Sequence, residues 1–238
     1  MSARSSSGVP AAGLDTSPPL NAADTTRAGQ GAAAPLRLGG LTPLTTLDYP
    51  GELAAVLFCQ GCPWRCRYCQ NDHLLGAEPP ADAPRWHAVL DWLRRRSGLL
   101  DAVVFSGGEP TAQGGLTEAI DQVGSMGFRI GLHTGGAYPQ RFARVLDSVD
   151  WVGFDIKALP EDYPALTGVE GSGAPAWHSL DLLLASGVAH QVRVTVHPRL
   201  LPPERLTRLL DLLRRHGVTE PVLQDCRSGR MLDPTLAA

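Results

Sequence analysis

The chain has 238 residues, 43% of them apolar and 19% charged, and its 21 Lys+Arg against 24 Asp+Glu give a net charge of −3. That length allows one domain of ordinary size with a tail. The slight acidic excess argues against a nucleic-acid binder driven by bulk charge. The apolar residues never form a run of 18 or more, which excludes a membrane-spanning helix.

Residues 1–35 are dominated by Ala, Ser, Gly, Pro and Thr, with no aromatic residue and only Val9, Leu14 and Leu20 as branched apolar side chains. Such a segment cannot bury enough surface to offset its ordering entropy, and it is predicted to be a disordered tail. It also lacks the apolar stretch of a secretory signal. From residue 36 to 238 the texture is that of one folded domain. Strands are predicted at 53–58, 102–105, 129–132, 151–156, 191–196 and 221–223. Between them lie amphipathic helices at 84–96, 116–126, 138–147, 177–186 and 203–215. Strands that are apolar throughout and separated by helices indicate a parallel sheet covered by helices. Six β/α units are too few to close an eight-stranded barrel, so the expected fold is α/β, a partial (β/α)6 barrel with parallel strands.

Folds of this kind carry their sites at the carboxyl ends of the strands. The first strand runs into Cys59-Gln-Gly-Cys62-Pro-Trp-Arg-Cys66-Arg-Tyr-Cys69 and the second into Ser106-Gly107-Gly108-Glu109-Pro110. The third is followed by His133-Thr134-Gly135-Gly136, the fourth ends in Asp155-Ile-Lys157, the fifth in His197-Pro198 and the sixth in Gln224-Asp225. One face of the domain is therefore a candidate site.

Four of the five cysteines fall between positions 59 and 69. A disulfide framework would spread them along the chain, so the cluster reads as metal chemistry in a reducing compartment. Three residues between Cys62 and Cys66 leave little chain to wrap two Cys pairs around one tetrahedral zinc, and the spacing is not that of a ferredoxin. Cys62-x-x-x-Cys66-x-x-Cys69 puts three thiolates on one compact loop, enough for a four-iron cluster with one iron left open to a small molecule. A zinc knuckle or spare buried cysteines remain the alternatives. Cys59, hard against the strand, reads as a small buried residue, and Cys226 as a bystander. Twenty of the 21 basic residues are Arg, so the one Lys, Lys157, invites a specific reason. Asp155 and Lys157 alternate along a strand and share a face.

The cysteine motif followed one unit later by Gly-Gly-Glu-Pro resembles the radical S-adenosylmethionine (SAM) superfamily. More narrowly, Thr46-Leu-Asp48-Tyr49-Pro50-Gly51, Gln60 to Asn71, His133 to Pro139, Asp155-Ile-Lys157 and Thr195-Val-His197-Pro198 resemble the activating proteins of the anaerobic ribonucleoside-triphosphate reductase. The resemblance spans about residues 38–225. It implies that Cys62, Cys66 and Cys69 hold a 4Fe-4S cluster whose fourth iron takes the amino and carboxylate groups of SAM. It also implies that Tyr68, Gly107, Gly108, Glu109, Thr134, Asp155, Lys157 and His197 bind the cofactor, with Lys157 the candidate catalytic residue. Glycines let backbone approach a ligand closely, and a glutamate is a natural acceptor for an ammonium. Relatives often read Asp-Thr-Asn-Gly where this chain has His133-Thr134-Gly135-Gly136, which places any cation site near the cofactor in doubt, and Gln70 stands where His is commoner.

The activity implied is reductive cleavage of SAM to a 5′-deoxyadenosyl radical, which takes hydrogen from a glycine Cα of the anaerobic ribonucleoside-triphosphate reductase. Flavodoxin or ferredoxin is the expected electron donor and the cytoplasm the expected compartment, with neither nucleic acid nor membrane as partner. Two alternatives stand beside it. One is a radical enzyme acting on a small molecule, such as a deazapurine-precursor synthase, or on another glycyl-radical enzyme. The other is a zinc-stabilised α/β binding module. No second cysteine cluster is present, so activases with an inserted ferredoxin-like segment fit badly.

Overall fold

A computed structural model describes residues 35–227 and 229–236. The predicted tail, apart from Pro35, lies outside the described residues. Seven strands form one sheet in the order of the chain: β1 (Leu38–Thr45), β2 (Ala54–Cys59), β3 (Ala102–Gly107), β4 (Arg129–Thr134), β5 (Trp151–Asp155), β6 (Ala189–Val196) and β7 (Val222–Asp225). β1 runs antiparallel to β2 and every later pair is parallel. The helices are α1 (Trp86–Arg94), α2 (Leu116–Gly124), α3 (Pro139–Val145), α4 (Tyr163–Thr167), α5 (Gly173–Ser186) and α6 (Pro203–Arg215).

The six parallel strands are those the sequence predicts, and β1 is an addition. Gly39, Gly40 and Pro43 disguise it, but an edge strand tolerates both residue types, and its pairing with β2 is broken by two irregularities. Strictly sequential order means that every crossover returns beside its own strand, as in a barrel left open. The alternation of side chains makes the two faces of the sheet distinct. Ala55, Leu57, Val103, Phe105, Val152 and Phe154 point into the large core beneath the helices. Ala54, Val56, Ala102, Val104 and Trp151 form a second, smaller cluster on the inner face.

That inner cluster is the floor of the half-barrel. Tyr49, from the 46–51 segment joining β1 to β2, stacks on Trp151 with ring centroids 5.2 Å apart. Gly131 of β4 leaves room for it: a Cβ there would stand 3.0 Å from Tyr49 Cδ1. An aromatic pair of this kind contributes about 0.5–1.5 kcal/mol beyond its buried area. Above the floor, toward the carboxyl ends of the strands, the inner face opens into a cavity.

Candidate functional site

The cavity holds about 500 Å³ and lies at the carboxyl ends of the parallel strands. Cys62, Cys66 and Cys69 line one side. Their loop is fixed on both flanks by main-chain bonds: Arg65 N–H donates to Thr167 O (2.7 Å) and Arg67 N–H to Leu166 O (3.0 Å), while Leu232 and Asp233 N–H donate to Cys69 O and Arg67 O. The Arg67–Asp233 ion pair at 2.8 Å adds to the second tie. Trp64 is buried and meets Tyr163 edge-on, which anchors the middle of the loop.

Burial pushes the Cys62 thiol up to about 12 and raises Cys66 as well, with Lys157 opposing the rise at Cys66. Thiols held this way ionise readily only when a metal pairs with them. No group of three or more His, Cys, Asp or Glu among the described residues converges on a single ion. Three thiols on one loop, all lining one cavity, fit a multi-iron cluster in which each takes a different iron. Tyr68 lines the cavity, while its hydroxyl is buried and has no hydrogen-bond partner among the described residues. Cys59 is fully buried in the core, whereas Cys226 lines the cavity.

The Gly-Gly-Glu-Pro turn closes the next side. Gly107 has φ +111°, in the left-handed region, and Gly108 lies so close to the cysteine loop that a Cβ would stand 2.3 Å from Gly61 O. Glu109 is 2% exposed. Its Oε1 accepts from Thr111 N–H (3.0 Å), Thr111 Oγ1 (2.6 Å) and Thr134 Oγ1 (2.7 Å), and its Oε2 from Gly135 N–H (3.0 Å). Glu109 thus ties the end of β3 to the end of β4, with Oε2 retaining acceptor capacity toward the cavity.

Opposite stand Asp155 and Lys157. Asp155 Oδ2 lies 3.5 Å from Lys157 Nζ, and Asp155 Oδ1 accepts from Arg193 Nε at 2.8 Å. Burial alone would raise the Asp155 carboxyl, but the two cations outweigh it and hold it below its ordinary value. Burial opposes the charge on Lys157, and its neighbours, Tyr68 first and then Asp155, more than offset that. His133 is buried; its Nε2 faces Asp48 O at 2.8 Å and its Nδ1 faces Ser106 Oγ at 3.4 Å. Desolvation, helped by Arg193, lowers it to about 4. A neutral ring with Nε2 protonated satisfies both partners. His133 thus supplies no carboxylate at this point of the wall, and both oxygens of Asp155 face cations.

The cavity therefore brings together Cys62, Cys66, Cys69, Tyr68, Gly107, Gly108, Glu109, Thr134, Asp155 and Lys157. It does not include His197, which turns away as β6 ends: Nδ1 accepts from Arg199 N–H and Nε2 donates to Leu236 O at 3.2 Å. Arg193 lines the cavity and was not anticipated from the sequence. The signal was there, since Arg193 shares the inward alternation of Thr195 on β6.

Fold and site together define an α/β enzyme built around a three-cysteine loop at the open end of a half-barrel. Residues 56–213 match the family model described as the radical SAM superfamily, and the chain belongs to that superfamily. Its cofactors are a 4Fe-4S cluster and SAM, and the zinc-module alternative falls. A Methanocaldococcus jannaschii protein named as a glycyl-radical enzyme activating enzyme is 27% identical over 175 residues, 70% of this chain and 71% of that protein. The pyruvate formate-lyase-activating enzyme of Clostridium pasteurianum is 29% identical over 139 residues, 56% of this chain and 57% of that one. Among solved structures, native anSMEcpe with bound AdoMet aligns with a TM-score of 0.58 at 14% identity, covering 71% of this chain and 49% of that one, a likeness of fold.

Proposed function

We propose that this chain is a glycyl-radical activase whose target is the anaerobic ribonucleoside-triphosphate reductase. The observation that carries the narrower reading is the meeting of two segments that resemble such activases. Asp48 O from the 46–51 segment bonds to the His133 ring, and Tyr49 from the same segment stacks on Trp151 beside it. The shared motifs form one inner wall of the half-barrel rather than scattered surface features. The similarity to two activating enzymes supports the broader class.

On this reading Cys62, Cys66 and Cys69 hold the cluster, and the cluster with SAM supplies the one-electron cleavage that yields methionine and a 5′-deoxyadenosyl radical. Glu109 Oε2 and the glycine turn receive the methionine ammonium, and Tyr68 lines the cavity beside the cluster. Lys157, held charged beside Asp155, meets the anionic side of the cofactor. The buried Tyr49–Trp151 floor closes the half-barrel below, so the reacting centre is reached only from the open end, where the partner's glycine enters. Flavodoxin or ferredoxin supplies the electron, and the reducing cytoplasm keeps the thiols available.

The test is anaerobic reconstitution followed by dithionite and SAM, with 5′-deoxyadenosine scored with and without the reductase. Product that disappears in Cys66→Ala, together with a glycyl-radical EPR signal that requires the reductase, is the expected result. SAM cleavage with no radical on the reductase would overturn the target and leave the superfamily chemistry standing.

A further inference from the structure

We propose that Arg193 is the positioning residue of the cofactor wall: its guanidinium holds one oxygen of Asp155, leaving the other to orient Lys157 toward the cavity. Asp155 and Arg193 are direct register partners on β5 and β6, so the sheet itself brings the pair together. Arg193 Nε donates to Asp155 Oδ1 at 2.8 Å, while Lys157 Nζ stands 3.5 Å from Asp155 Oδ2. Each oxygen of one carboxylate serves a different cation.

The seat of Arg193 is built for a planar fork. Its side chain is 12% exposed. Its Nη2 points to Gly153 O at 3.5 Å, and its Nη1 lies 3.4 Å from His133 Nε2. Gly153 leaves room for this seat: a Cβ there would come within 2.9 Å of Arg193 Nη1 and of the His133 ring, and one of them would have to shift. The neutral His133 ring, its Nε2–H given to Asp48 O, sits beside the guanidinium without adding a second positive charge. A lysine could reach Asp155 but could not span Asp155 and Gly153 O together.

The consequence concerns charge. Two cations on one carboxylate leave this wall with a net charge of +1, so Lys157 keeps attraction for an anionic group of a ligand. With Arg193 gone, Asp155 would be free to turn fully onto Lys157 and cancel it. Asp155 is the carboxylate that pairs with Lys157, whose stem lies against Gly135, where a Cβ would meet Lys157 Cε at 3.2 Å, and whose Nζ is 5.9 Å from the Tyr68 ring centre. This inference rests on the assignment of the cavity to SAM.

Arg193→Met and Arg193→Lys, each alone and combined with Lys157→Met, are compared in the reconstituted full chain. Equilibrium dialysis gives the SAM dissociation constant, and dithionite-driven formation of 5′-deoxyadenosine gives kcat and KM. Loss of a buried charged hydrogen bond predicts SAM binding weakened about 10- to 100-fold in Arg193→Met. Arg193→Lys recovers part of it, and in the Lys157→Met background the Arg193→Met change has little further effect. Unchanged binding and turnover in Arg193→Met would overturn the proposal. So would equal effects in both backgrounds, which is what a purely structural Arg193 gives. If Arg193→Met does not fold, Arg193→Lys carries the test, with wild-type binding in that variant overturning it. Failure of the wild type to bind SAM at all would overturn the cavity assignment itself, and this inference with it.

Discussion

The hydroxyl of Thr134 donates a 2.7 Å hydrogen bond to the Glu109 carboxylate, joining the carboxyl ends of β3 and β4 across the top of the half-barrel. The same carboxylate takes three further donors, so it is a structural tie as well as a candidate ligand. Glu109→Gln puts an amide N–H against the Gly135 or Thr134 donor and leaves one buried donor unpaired. A loss of about 1–3 kcal/mol is expected by guanidinium unfolding. A weaker affinity for SAM should accompany it. Thr134→Val removes one of the four donors and also the acceptor of the buried Gly136 N–H at 3.0 Å, and should cost about 1–3 kcal/mol. Equal stability of Glu109→Gln and wild type would show that the four bonds are not formed in solution.

His133 predicts a pH dependence of stability. Its folded value of about 4 lies below the ordinary 6.5, so between those limits the unfolded chain binds a proton that the native chain refuses. Stability is full above pH 6.5 and falls as the pH drops toward 4, by at most roughly 3 kcal/mol. Urea unfolding at pH 7.5, 6 and 5 should show this slope in the wild type, and a flatter one in His133→Gln. Asp155, also lowered, acts below its own ordinary value of 3.8 and so in a separate, more acidic window.

Most of this architecture is legible in the sequence because β2, β3 and β5 are largely apolar, β4 and β6 carry apolar residues among their polar ones, and helices with apolar stripes lie between them. β1 escapes because an edge strand can carry Gly39, Gly40 and Pro43, which are poor strand formers in the middle of a sheet. α4 escapes because it has one turn and begins with Tyr163-Pro164. At the site, motif chemistry finds the cysteines and the glycine turn, whose local spacing is their geometry. Alternation along β6 turns Arg193 inward, but its pairing with Asp155 depends on the register between two strands, 38 residues apart in sequence, which no local pattern reveals. His197 fails to reach the cavity for the complementary reason. The alternation that would point it inward ends at Val196, and the chain turns toward Leu236.

The proposed function divides the cysteines into three ligands and two others, and iron content tests that division. Cys62→Ser, Cys66→Ser and Cys69→Ser should each lose the brown absorbance of the reconstituted protein, because the loop supplies no replacement thiol. Cys59→Ser should keep the iron and lose about 1–3 kcal/mol of stability, since it places a hydroxyl in a fully buried strand position. Cys226→Ser should keep both, although its side chain lines the same cavity. Loss of iron from Cys226→Ser would mean a fourth protein ligand and no open iron for SAM.

Gly108 is a tight contact between the two halves of the site. Its φ is not in the left-handed region, so its backbone would accept alanine; the obstacle is space. An added Cβ would stand 2.3 Å from Gly61 O, 2.8 Å from Gly61 C and 3.0 Å from Leu74 O, all backbone atoms that cannot rotate away. Gly61 O also accepts from Glu109 N–H at 2.9 Å, and Gly61 N–H donates to Leu74 O at 2.8 Å. Gly108→Ala must therefore prise the glutamate turn from the entry to the cysteine loop. It should cost about 3 kcal/mol, at the upper end for overpacking. Cluster retention and SAM binding should fall together, because one contact positions both. Gly114→Ala, at an exposed position with nothing within 4 Å of the added carbon, is the matched control and should leave iron content and SAM affinity at wild-type values. If Gly108→Ala bound SAM as wild type does, the turn and the cysteine loop would not be in the contact described.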